Sequence, residues 1–113
     1  MGVSKPPFDV SVVNGLGQVV VFLYGEIDVA AEKEVSGALA GARETGAEVI
    51  VDLSQVTFID SSGINILVRA HSETPEERFR LVGASKGVRR VFEIAHVDSV
   101  LMDDQGRCRA RGR

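Results

Sequence analysis

Two runs constrain what this chain can fold into: QVVVFLY (18–24), apolar on both of its faces, and EVIVDL (48–53). Between them the apolar residues Val35, Ala38, Leu39 and Ala42 recur at helical spacing, with Glu32, Lys33, Glu34 and Arg43 outside that stripe. A strand that is apolar on both faces belongs in a sheet interior. The second run follows the helical segment after the short ETGA turn (44–47), so the two strands should lie parallel in a right-handed βαβ unit. Asp28 is placed to cap the helix. Gly37 and Gly41 each weaken it by about 1 kcal/mol relative to Ala, so packing against the sheet must hold it.

The flanking sequence extends this unit in both directions. FDVSVV alternates, with Phe8, Val10 and Val12 on one side, and NGLG (14–17) supplies the turn of an amino-terminal hairpin. After SQVTFID, residues Ile64, Leu67, Val68 and His71 predict a second helix from Ser61. Thr74-Pro75-Glu76-Glu77 fits a capping box with Pro at the first position, but the strand-like RFRLVG follows at once, so a single turn is expected. SKGVRRVFEIAHV (85–97) places Val88, Val91, Phe92 and Ala95 on one helical face with Ser85 as cap, and SVLMDD (99–104) suits a short edge strand. The expected fold class is α/β, a single domain of order ββαβαβαβ. It has a mixed sheet, an amino-terminal hairpin and helices packed against the sheet. Residues 8–104 form the domain, 1–7 a flexible amino terminus and 105–113 a basic tail.

A chain of 113 residues with 44% hydrophobic and 26% charged side chains can build such a core without disulfides or metal. Its one cysteine, Cys108, sits between Arg107 and Arg109, which excludes a disulfide framework. No apolar run approaches the roughly 20 residues of a membrane span, and MGVSKPPF lacks the apolar segment of a secretory signal. Gly2 does not fit N-myristoylation, because Pro6 stands where Ser or Thr is required. A cytoplasmic location is expected, with no membrane partner. Net charge is −3, yet residues 1–106 hold nine basic against sixteen acidic side chains, and four arginines crowd GRCRARGR (106–113). A body this acidic does not present the basic stripe of a nucleic-acid binder, and the tail is expected to be a disordered, solvated end.

The chemistry on offer is narrow. His71 and His96 are 25 residues apart with no cysteine partner, so no metal site is expected. GASKG (83–87) lacks the spacing of a phosphate-binding loop, and no cofactor is expected. IDSSG (59–63) has no glycine ahead of either serine, unlike a hydrolase nucleophile elbow. Asp52 closes a strand as a phospho-acceptor aspartate would, but LYGEID gives only a separated acidic pair and Lys86 begins a helix. There remains Asp60-Ser61-Ser62-Gly63 at a helix start. One reading is a cap, in which Asp60 or Ser61 accepts from first-turn amides for about 1 kcal/mol. The other is a switch: a phosphate there would bring about −1.5 to −2 charge to the end of the helix that tolerates anions, and present it to a partner.

Three stretches, GEID (25–28), VIVDLSQVTFIDSSG (49–63) and SKGVRRVFEIAHVDSVL (85–101), together resemble the STAS-domain anti-sigma factor antagonists of bacteria. The resemblance implies a small α/β domain that catalyses nothing. Unphosphorylated, it binds an anti-sigma factor that is also a serine kinase and so frees a sigma factor. The kinase uses ATP and Mg²⁺ to phosphorylate it, and a serine phosphatase resets it. By position the phosphorylated residue is Ser61, with Ser62 the alternative. The partner surface would comprise Glu26, Asp28, Asp60, Ser61, Ser62, Gly63 and Asn65. Gly63 would keep the turn open, and Asp28 is also open to a purely capping role. Asn65 replaces the small glycine of many relatives, and the segment around SETPEE is more broken than their continuous helix. Lys86, Arg89 and Arg90 gather on one helix, as a solvated face or a dock for an acidic partner. A second reading of the resemblance is an unphosphorylated STAS module that scaffolds a signalling or transporter complex.

Overall fold

A computed structural model describes residues 7–97. The elements run β1 (Phe8–Asn14), β2 (Gln18–Ile27), a 3-10 turn (Val29–Ala31), α1 (Glu32–Glu44), β3 (Glu48–Ile59), α2 (Ser61–Glu73), a second 3-10 turn (Glu76–Arg78), β4 (Phe79–Val82) and α3 (Lys86–Ile94). The strands form one mixed sheet in the order β1-β2-β3-β4. β1 pairs antiparallel with β2, and the other pairings are parallel. The α/β class, the hairpin and the βαβ unit are as the sequence predicts. The strand expected over 99–104 lies outside the described residues, as do most of the amino terminus and the whole tail.

Both crossovers step across the sheet in the same direction, so their common right-handedness places α1 and α2 on one face. That inner face carries Val21, Leu23, Val51, Leu53 and Leu81, packed in a single cluster with Val35 and Leu39 of α1, Ile64 and Leu67 of α2, and Val88 and Phe92 of α3. The opposite, outer face differs from the sequence expectation. Val20, Phe22, Tyr24 and Val82 are only half-buried and stand outside that cluster. An apolar run in a strand reads the same whether its second face is covered by helices or left open, which is why the sequence pointed to burial on both sides.

Three boundaries shift for local reasons. Asp28 caps the 3-10 turn rather than α1: its Oδ1 accepts from the Ala30 amide at 3.0 Å, and the α-helix begins at Glu32. Thr74 caps nothing downstream; its hydroxyl donates to the Ala70 carbonyl at 2.8 Å and closes α2. Ala95 lies past the end of α3 and is exposed, so the buried stripe of that helix is Val88 and Phe92, with Val91 half-buried. Ser85 does cap α3, accepting from the Val88 amide at 3.2 Å.

Gly37 and Gly41 are exposed on α1, and a Cβ at either would meet nothing within 4 Å. Gly37→Ala and Gly41→Ala are each expected to stabilise the protein by about 1 kcal/mol, read as a higher urea midpoint with an unchanged slope.

Candidate functional site

β2 and β3 end side by side. Their register pairs Glu26 with Phe58 and Ile27 with Ile59, so the aspartate that follows each isoleucine, Asp28 or Asp60, leaves its strand next to the other. The two aspartates do the same work. Asp28 caps the 3-10 turn; Asp60, in extended conformation, caps α2 through Oδ1, which accepts from the Ser62 amide at 2.9 Å and the Gly63 amide at 3.2 Å. The Asp60 amide donates to the Ile27 carbonyl at 3.4 Å and ties the two strand ends together.

Ser61 is the first residue of α2 and is exposed; its hydroxyl bonds none of the described residues. Asn65, one turn on, is exposed on the same side, and Ser62 is half-buried. Glu26 is exposed and Asp28 half-buried at the neighbouring strand end. Gly63 is buried, so it offers no surface of its own. Its role is closeness: a Cβ there would strike the Ile27 carbonyl oxygen and come within 2.6 Å of Ile59 Cγ1. It lies within the regular helix, so packing rather than an open turn requires glycine. Gly25 is constrained differently, with φ of 81° and the Pro7 carbonyl where a Cβ would stand; the Glu26 amide donates to that carbonyl at 2.9 Å.

Two exposed apolar residues border the site that the sequence reading passed over. Phe58 is 49% exposed beside Glu26, and Val29 is 68% exposed after Asp28. Val29 also opens a groove of about 490 Å³ lined by Ala30, Glu32, Lys33, Ser36 and Arg69, where Arg69 pairs with Glu32 at 3.4 Å. Phe58 had a signal in the sequence: with Ile59 facing the core, its neighbour in the strand must face out.

Electrostatics set what this arrangement can do. Because Asp60 already occupies the Ser62 and Gly63 amides, an anion on Ser61 would find those donors taken and Asp60 beside it. Its charge would be turned outward. His71 is ten residues along α2 from Ser61, about 15 Å away by helical rise, and its ring meets Phe79 edge-on at 5.7 Å. Asp52 bonds the Ser54 amide at 2.9 Å and hydroxyl at 2.6 Å, and among the described residues no group of three or more metal-ligating side chains forms.

The STAS domain family model matches residues 8–107. Among characterised proteins, the anti-sigma-B factor antagonist of Listeria monocytogenes is 30% identical over 84 residues, covering 72% of this chain and 74% of the relative. A solved anti-sigma factor antagonist from Mycobacterium paratuberculosis superimposes with a TM-score of 0.76 at 26% identity, covering 87% and 86% of the two chains. The Bacillus cell fate determinant SpoIIAA in its phosphorylated form gives a TM-score of 0.60 at 26% identity, covering 81% and 86%.

Proposed function

The chain belongs to the STAS domain family, and from that premise we propose that it is an anti-sigma factor antagonist switched by phosphorylation of Ser61. Unmodified, it captures an anti-sigma factor that is also a serine kinase, and the sigma factor is released. Phosphorylated, it lets go, and a serine phosphatase restores it. No catalytic step falls to the chain itself, which is substrate and binder and works in the cytoplasm. Among the described residues no helix is long and apolar enough to cross a membrane.

The observation that carries this reading is an exposed serine hydroxyl at the first position of α2, beside a carboxylate that already holds the first-turn amides. The first-turn amides nearest a phosphate added there are already taken by Asp60, so its cost falls on whatever surface had fitted the neutral hydroxyl. Glu26, Asp28, Asp60, Ser61, Ser62 and Asn65 provide the polar part of the contact, with Gly63 holding α2 in place. Phe58 and Val29 add the apolar anchors that interfaces concentrate near their centre. Phe58→Ser is expected to weaken partner capture about tenfold, or about 1.4 kcal/mol, with no loss of thermal stability, because the ring is half-exposed in the free protein.

The test is site-resolved mass spectrometry after incubation with ATP, Mg²⁺ and lysate of the source cells, with Ser61→Ala and Ser62→Ala as controls. Phosphate on Ser61 that disappears only in Ser61→Ala supports the switch. Phosphate on Ser62 alone would move the site by one residue. An unmodified chain, in a lysate that phosphorylates another antagonist, would favour the scaffold module.

A further inference from the structure

The outer face of the sheet is apolar at its centre and acidic around it. Strand register sets Val20, Phe22, Tyr24, Ile50 and Val82 together there. Ile50 is 6% exposed yet lies outside the cluster built by the helices. Among the described strand residues the same face carries the carboxylates Asp9, Glu26, Glu48 and Asp52 and the guanidinium of Arg80, whose Nε is 3.6 Å from Glu48. A second copy of this face would bring like charges together. The occupant it fits is basic, with apolar stems.

We propose that residues 105–113 of the same chain dock across this outer face. The segment QGRCRARGR has arginine at 107, 109, 111 and 113. In an extended chain that spacing turns all four to one side. Arginine suits an acid-rimmed aromatic surface, because its stem packs on apolar groups and its planar head stacks on rings while pairing with carboxylates. Phe22 and Tyr24 supply the rings; Asp9 and Asp52 supply the carboxylates. The described chain ends at Val97, packed against the core on the helical side, and residues 98–104, which can span about 23 Å when extended, would carry the chain round the sheet edge to the outer face.

The chain carries its own probe, since Cys108 is its only cysteine and lies within the segment. A nitroxide on Cys108 of the full chain should attenuate the amide resonances of Phe22, Tyr24 and Val82 by more than half, and leave those of the α1 and α2 residues facing away from the sheet nearly intact. Replacing Arg107, Arg109, Arg111 and Arg113 together by Gln should restore the lost intensity. Attenuation that is absent, uniform, or confined to the helical face overturns the proposal. So does attenuation that persists when spin-labelled and isotope-labelled chains are separate molecules in a dilute mixture, because the docked segment would then belong to a neighbour.

Discussion

Ser61→Asp is expected to weaken capture of the anti-sigma partner by two to three orders of magnitude while leaving the domain as stable as before. The two halves of that result have separate causes. In the free protein a carboxylate at the first position of α2 points into solvent at the end of the helix that favours negative charge, worth a few tenths of a kcal/mol in its favour. In the proposed complex the same carboxylate would have to leave water beside Asp60, whose charge is already committed to the Ser62 and Gly63 amides. An unpaired charge or like-charge contact at an interface costs several kcal/mol, and about 3–4 kcal/mol corresponds to roughly 100- to 1,000-fold. Titration calorimetry and thermal unfolding on the same sample check both halves. A parallel fall in stability would mean that the substitution disturbs the fold instead.

Gly63→Ala should destabilise the domain by about 2 kcal/mol, although alanine is the better helix former by about 1 kcal/mol. The added methyl meets the Ile27 carbonyl and Ile59 Cγ1, and the Ile27 carbonyl also accepts the Asp60 amide. Neither a rotamer change nor solvent relieves contact with a backbone oxygen, so α2 must move away from the end of β2. For a domain of this size each kcal/mol lowers the melting temperature by about 4–8 °C, so a fall of roughly 8–16 °C is expected in calorimetry. Because the shift carries Ser61 away from Glu26 and Asp28, partner capture should fall as well. The contrast with Gly37→Ala and Gly41→Ala, which meet open space and should stabilise, separates packing from propensity.

The architecture was legible because its signals are periodic. The runs at Val19–Tyr24 and Val49–Leu53, with a helical stripe between them, admit little except a βαβ unit. Ser61 was legible as a helix start because Asp60 precedes it and Ile64, Leu67 and Val68 follow at helical spacing. What the sequence hides is long-range contact. Nothing in DSSG shows that the Ile27 carbonyl presses on Gly63. Thr74 reads as a cap for the residues after it, and only the folded chain puts its hydroxyl on the Ala70 carbonyl. Phe58 is hidden because the apolar run EVIVDL ends at Leu53, whereas β3 continues with register shifts against β2 to Ile59. The open outer face was hidden because alternation cannot say which face the helices will cover.

The central claim is that one phosphate on Ser61 decides whether the partner is held. Its most direct test is a pair of calorimetric titrations against the proposed anti-sigma partner, one with the chain phosphorylated at Ser61 and one with that sample after phosphatase treatment. Tight binding by the dephosphorylated chain is expected, with a loss of at least about a hundredfold, or roughly 3 kcal/mol, in the phosphorylated one. Equal affinities for the two forms would contradict it.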